Sequence, residues 1–294
     1  MPPFWPRRSP HFAACRHALR PFAGPAVIGL SGGADSLALA AAAAAEGKDA
    51  IALVVDHGLQ PGSFEVAQRA AATARGWGLQ ARVVSVNVAP GNVEAQARRA
   101  RYAALRAAGR EVWVAHTAED QAETLILGAL RGNPSGMAAR EDGIARPFLG
   151  LRRADTEGAC AELGVEPWQD PMNFDTTYRR VRVRREVIPR LGELIGGDAV
   201  PALARTAGRI AQGRELVASI SNLAPTNDCG ELACDPAPVR RRRLVAWLAQ
   251  HDVAAQGAQL DDIDALVTRW RGQGPVTLAG GHSVRRVGGR LVVG

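Results

Sequence analysis

The chain has 294 residues, 47% hydrophobic and 22% charged, the profile of a folded protein of about two domains rather than a disordered, collagen-like or membrane one. Its 36 basic residues exceed 29 acidic ones for a net charge of +7, and Lys48 is the only lysine, so the surplus is arginine, whose planar fork suits phosphate. That balance points to a polyanionic partner, nucleic acid first, and the longest apolar run, 37–45, is far too short to span a bilayer, so no membrane partner is expected.

The N-terminus has no compact apolar stretch of the signal-peptide kind, which makes the cytoplasm the expected location. Cys15, Cys160, Cys229 and Cys234 form no CxxC pair, against a disulfide framework or a zinc ribbon. With the one lysine in Gly47-Lys48-Asp49, the GxxxxGK loop of the common P-loop NTPases cannot be written.

From residue 26 onward, short β-branched runs at 26–30, 51–55, 82–88 and 112–115 alternate with helical stretches at 36–46, 63–76, 93–108 and 119–130. This alternation predicts an α/β fold with a doubly wound parallel sheet and a ligand crevice beyond the strand ends. A loop-rich stretch, 131–147, and a helix over 153–163 complete a first domain of residues 1–189. Residues 199–223 keep Leu203, Ala207, Ile210, Leu216 and Ile220 at helical spacing, and 225–238 reads as a linker. Helices at 239–250 and 260–270 and an alternating hairpin-like tail, 274–294, predict a smaller, mainly helical domain over 190–294.

The sharpest motif is Ser31-Gly32-Gly33-Ala34-Asp35-Ser36, directly after an apolar strand and before a helix. Two glycines let the backbone approach a charged oxygen, and the free N–H groups of the helix start aim positive charge at it. Ser31 and Ser36 add hydroxyl donors, and Asp35 is placed to hold a magnesium ion bridging phosphates. A glycine turn with a helix cap would account for Asp35 and little else. His116 ends the fourth strand, and Asp120 and Glu123, three apart in the next helix, can both face the crevice, where a carboxylate pair suits a cationic substrate. Glu119 reads as a complement to the helix dipole.

Ser31 to Ser36 resembles the pyrophosphate loop of the ATP pyrophosphatase superfamily, whose members bind the β,γ-phosphates of ATP there and transfer AMP to a substrate oxygen. Further motifs narrow the resemblance. Asp56-His57-Gly58-Leu59 with Ser63 and Glu65, the run from Asn92 through Glu94, Arg98 and Arg101 to Tyr102, and the run from Ala115-His116 through Asp120 and Glu123 to Thr124 are similar to the tRNA(Ile)-lysidine synthetase family. So are Arg146-Pro147-Phe148-Leu149, Asp170-Pro171-Met172-Asn173 and the segment 278–285, so the resemblance runs from about residue 26 to 294 and fits a short form lacking a further C-terminal domain.

The resemblance implies ATP and Mg2+, free L-lysine and an isoleucine tRNA with a CAU anticodon as reactants and partners. The C2 oxygen of the wobble cytidine would be adenylated, then lysine's ε-amine would displace AMP, with pyrophosphate as the other product. In that reading Asp120 and Glu123 grip the α-ammonium of lysine. Arg98 and Arg101, one helical face with Glu94 behind an Asn92 cap, would neutralise the α-phosphate, the alternative being a surface Glu94–Arg98 ion pair. His57 and His116 either contact nucleotide or are structural.

Basic clusters supply the RNA case. Arg179, Arg180, Arg182, Arg184 and Arg185 are expected on the tRNA backbone, with salt-sensitive binding. Arg240 to Arg243 fit either RNA or a solvated helix face. The chain departs from the family at Val181, where an RNxxR pattern has asparagine, at Met172, where DPSN has serine, and in a shortened loop, 131–137. A 2-thiolating relative and a non-catalytic RNA-binding module are the competing readings, and a homodimer is left open.

Overall fold

A computed structural model describes residues 5–6, 8–60, 62–88, 93–221, 223–255 and 257–294; Asn92 and the side chain of Glu94 lie outside what it describes. The chain packs as two compact units, residues 1–123 with 137–205, and residues 124–136 with 206–294. The expected break after 189 therefore lies inside the first unit, and the stretch 124–136 belongs with the second.

The first unit opens with α1 (Pro10–Leu19), a helix not anticipated from the sequence. Proline at the first helical position loses no hydrogen bond, and Phe12, Cys15 and Leu19 recur at helical spacing and are fully buried. The Glu162 carboxylate accepts from the His11 and Phe12 amides at 3.2 and 2.8 Å, satisfying donors that a helix start leaves open. A Cβ on Gly158 would meet the His11 ring at 2.5 Å, so glycine there lets the two helices touch. The single lysine is structural as well: Lys48 Nζ donates to the Arg20 and Phe22 carbonyls at 3.0 and 2.7 Å.

Strands β1 (Ala26–Gly29), β2 (Ala50–Asp56), β3 (Gln80–Ser85), β4 (Glu111–Trp113), β5 (Arg140–Glu141) and β6 (Ile144–Ala145) form one sheet in the order β3-β2-β1-β4-β6-β5. Every pairing is parallel except β5 with β6. The linking helices are α2 (Ala34–Ala45), α3 (Ser63–Gly76), α4 (Val93–Arg106) and α5 (Ala118–Ala129), with α6 (Arg153–Glu162) after the sheet. Alternation along β1 sends Ala26 and Ile28 into a core shared with α1, α2, α3 and α6, and Val27 into a second core with Leu53, Tyr102, Leu105 and Val112. A sheet buried on both faces explains the near-continuous apolar strands. Ala40 to Ala43 of α2 are fully buried, so small side chains allow close packing around that helix. Winding reverses between β1 and β4, which puts a crevice at their C-terminal ends.

Beyond the 3-10 turn Pro171–Phe174 come α7 (Arg179–Arg182), a π turn (Val183–Val187) and α8 (Ile188–Ile195) in one run. Pro189 has no N–H to return to the preceding turn, and the widened π turn sits just before it. Val181 and Val183 are buried, which gives the departure from asparagine at 181 a packing role.

The long helix α9 (Val200–Ile220) leads from the first unit into the second, which contains α10 (Cys229–Cys234), α11 (Ala237–Ala249), α12 (Gly257–Thr268) and the antiparallel strands β7 (Val276–Thr277), β8 (Ser283–Val287) and β9 (Arg290–Val293). Its core gathers Leu232, Leu244, Leu248, Ile263, Leu266, Val284 and Leu291. α10 occupies the expected linker, started by Asp228, whose carboxylate accepts from the Gly230 and Glu231 amides at 2.8 and 3.1 Å. Arg240 and Arg243 are buried: Arg240 pairs with Asp264 at 2.6 Å and Arg243 with Asp235 and Glu231 at 2.7 and 2.9 Å. The polyarginine run thus spends these two residues on internal ion pairs. No helix among the described residues is long and apolar enough to cross a membrane.

Candidate active site

A cavity of about 1590 Å3 opens at the C-terminal ends of β1, β2 and β4, entirely within the first unit. Its floor is the turn from β1 into α2, where Ser31, Gly33, Ala34, Asp35 and Ser36 line the space. Gly32 has φ +86, a left-handed conformation that favours glycine, and a Cβ there would meet Ala70 at 3.4 Å and Val66 at 3.8 Å. The Trp168 amide, from a residue that also lines the cavity, donates to the Gly32 carbonyl at 3.0 Å and braces the loop. Ser36 differs from its expected role: its hydroxyl donates to Gly33 O at 3.0 Å and accepts from Ser31 N at 3.1 Å, so it holds the loop's shape. Ser31 remains exposed beside it.

Asp35 sits in the first turn of α2, where burial raises its carboxyl to about 6 against the opposing pull of Arg153 and a Thr156 hydrogen bond. Thr156 donates to Oδ1, and Arg153 Nε stands 3.7 Å from Oδ2. Arg153 also reaches Asp120, with Nη2 3.8 Å from Oδ1. Its guanidinium therefore lies between the two cavity carboxylates, a placement with no signal in the sequence beyond a helix start. The start of α6 is set by Glu119, which accepts from Arg152 Nε at 2.8 Å and from the Arg153 amide at 2.9 Å, so Glu119 does more than complement a dipole.

Asp120 keeps one oxygen for local structure and turns the other toward the cavity. Oδ2 accepts from the Thr117 amide at 2.9 Å, while Oδ1 faces Arg153 and, at 4.0 Å, Arg180. Burial pushes this carboxyl up, but His116, Arg153 and the Thr117 amide outweigh it and hold it low. Glu123 does not share the crevice with Asp120. Its side chain is fully buried, with Arg184 Nε at 2.6 Å from one oxygen and Arg180 Nε at 2.8 Å from the other. The reason is one of geometry: at three residues' spacing Glu123 turns under α7 and the π turn, which bring two arginines onto it. The same pairs correct the surface expectation for Arg180 and Arg184, which line the cavity half-buried; Arg185 lines it too but is exposed, as are Arg179 and Arg182.

Arg98 and Arg101 line the cavity from α4, their guanidinium carbons 4.9 and 5.4 Å from the centroid of the Tyr102 ring. His57 and His116 line it from the ends of β2 and β4; burial lowers both, His116 to about 4, and each Nδ1 is buried with no hydrogen-bond partner among the described residues. Asp56 shapes the following loop, accepting from Gly58 N at 3.0 Å and Ser63 Oγ at 2.7 Å. Gln60 donates to Asp170 at 3.1 Å and ties that loop to the 3-10 turn.

Comparison with known proteins settles the family. A model of the PP-loop domain matches residues 16–191, and one of the TilS substrate binding domain matches residues 228–292. The tRNA(Ile)-lysidine synthase of Corynebacterium diphtheriae is 55% identical over 99% of both chains. The chain belongs to the tRNA(Ile)-lysidine synthase family. The synthase of Corynebacterium glutamicum is 49% identical over 98% of this chain and 96% of its own. Among solved structures, the U34-tRNA thiolase NcsA from Methanococcus maripaludis has a TM-score of 0.57 at 14% identity, covering 79% of this chain and 88% of that one, a likeness of fold alone. The family assignment makes this an ATP-using enzyme with a PP-loop, and the residues expected to cradle phosphate are those at the cavity floor.

Proposed function

We propose that this chain joins free L-lysine to C2 of the wobble cytidine of a CAU-anticodon isoleucine tRNA, in two steps within the cavity of the first unit. The cytidine C2 oxygen attacks the α-phosphorus of ATP and pyrophosphate leaves. The neutral ε-amine of lysine then attacks C2, AMP departs with the oxygen, and the amine's proton passes to solvent. The product, lysidine, changes the codon read from AUG to AUA.

The observation that carries this reading is that an anion cradle and a carboxylate suited to an ammonium line one cavity. The loop amides of Gly33 to Asp35 would take the departing phosphates. Arg98, Arg101 and Arg153 would oppose charge growing on the α-phosphate. Asp120 Oδ1 would hold the α-ammonium of lysine. Glu123 would act through Arg180 and Arg184, fixing both guanidinium groups, while the exposed Arg179, Arg182 and Arg185 would meet the RNA backbone.

Asp35 would supply one hard oxygen, Oδ2, to a magnesium ion beside the phosphate loop, the other ligands coming from phosphate and water, with Arg153 3.7 Å from that oxygen. Bound there, the ion would neutralise phosphate charge. The reading also places the reaction in the cytoplasm, where tRNA and free lysine meet.

The test is to incubate the protein with ATP, magnesium, labelled lysine and a CAU-anticodon isoleucine tRNA transcript and to count label on the RNA. Label that requires ATP and the cytidine is the expected result. Pyrophosphate release without label would retain the ATP chemistry and overturn lysine as the nucleophile.

A further inference from the structure

Phe174 ends the 3-10 turn at the mouth of the cavity, and 53% of it is exposed. Single exposed apolar residues need no explanation in general, but this ring is held in place rather than merely left out. Asp170 Oδ1 accepts from Met172 N at 2.9 Å and starts the turn; Asp175 accepts from Thr177 N at 2.9 Å and Thr177 Oγ1 at 2.7 Å and ends it. Arg185 then reaches back from the π turn. Its guanidinium carbon is 5.3 Å from the ring centroid, and Nη1 donates to the Phe174 carbonyl at 3.3 Å. The result is a fixed aromatic ring, open to solvent, with a cation against it, at the entrance to the site where a base must react.

A cytidine inside an RNA loop reaches a buried phosphorus only by leaving its stack, and its neighbours then lose a stacking partner. Proteins that take single-stranded RNA meet such bases with exposed aromatic rings beside arginines. We infer that Phe174 is a stacking platform for a nucleobase of the anticodon loop next to the reacting cytidine, with Arg185 both fixing the ring and facing that nucleotide's phosphate. This rests on the reading of the reaction given above. The RNA is favoured over the adenine of ATP because the ring belongs to the segment carrying the exposed arginines 179, 182 and 185, whereas the phosphate cradle is built from strand ends.

The experiment measures affinity for a CAU anticodon stem-loop RNA and, separately, for ATP, in wild type and in F174A, F174L and F174W. The expected result is a roughly 5- to 100-fold loss of RNA affinity in F174A, a similar loss in F174L, which keeps bulk without a π face, near-wild-type binding in F174W, and unchanged ATP affinity throughout. Stem-loops made abasic at each neighbour of the cytidine in turn supply the coupling: with one of them F174A should cost nothing further. The inference is overturned if F174L binds like wild type, if ATP affinity falls in parallel, or if F174A remains costly on both abasic RNAs. Because binding needs no turnover, these outcomes are separate from failure of the labelled-lysine assay on wild type, which would instead overturn the reaction.

Discussion

Arg184 donates to Glu123 across 2.6 Å, and the carboxylate it meets is wholly sealed from solvent. Arg180 takes the other oxygen at 2.8 Å, so one buried anion orders two cations that line the cavity. Removing the anion leaves two partly solvated arginines without their shared partner, at a cost of about 1–3 kcal/mol. Glu123→Ala should therefore lower the unfolding free energy obtained from urea denaturation by that much and abolish lysidine formation. A stable, inactive variant would mean that Glu123 acts on substrate directly.

Arg153 between Asp35 and Asp120 leads to a different expectation, because it touches the space where phosphate and lysine would meet. Arg153→Met should slow pyrophosphate release by about 100-fold, the scale of losing one preorganised charge partner, and leave tRNA affinity within a factor of two or so. A normal rate of pyrophosphate release with slowed label transfer would assign Arg153 to the lysine step.

Asp120 turns Oδ1 toward the cavity, and at neutral pH its charge is favoured by Arg153 and the Thr117 amide. Asp120→Asn should raise the KM for lysine at least roughly tenfold, a loss typical of a charged hydrogen-bond partner, while ATP-dependent pyrophosphate release persists. A KM unchanged for lysine would remove Asp120 from amine recognition.

How much of this was legible in the sequence depends on the range of the interactions. The alternation of apolar strands and helices gave the doubly wound sheet, and the phosphate loop was readable because its glycines, its strand and its helix are adjacent in the chain. α1 was missed because its apolar residues are few and its partner, Glu162, lies far along the sequence. The site was misread where partners are distant in the same way. Glu123 and Asp120 share a helix, but which of them faces the crevice is decided by arginines some sixty residues away, Arg180 and Arg184. Arg153 and Thr156 gave no local cue at all, since their contacts to Asp35 exist only once α6 has packed on α2. Arg240 and Arg243 looked like a solvated or RNA-facing run until Asp264, Asp235 and Glu231 closed on them.

His116 should stay neutral throughout the working range, since burial holds its imidazole at about 4. Its ring proton signal in an NMR titration should not move between roughly pH 5.5 and 8, where an unperturbed histidine titrates. Titration near the ordinary value would mean that the strand end is open to water and that the histidine carries charge at the cavity.

Glu46 ties α1 to the end of α2, with Arg16 Nε at 2.7 Å and Arg20 Nε at 3.1 Å on its two oxygens. Burial pushes its carboxyl up, but the hydrogen bonds from Arg20 and Arg16 outweigh that and bring it below the ordinary value of 4.5. A carboxylate that is lowered on folding binds fewer protons in the native than in the unfolded state just below that value, so its contribution is complete above about pH 4.5 and fades as pH falls through the native value. Glu46→Gln should therefore lose about 1 kcal/mol of stability at neutral pH, modest because both arginines are partly exposed. In urea unfolding across pH, the gap between wild type and variant should close on the acidic side of 4.5. A gap that persists undiminished to pH 3 or so would show that the loss comes from packing at the α1–α2 contact rather than from the charge.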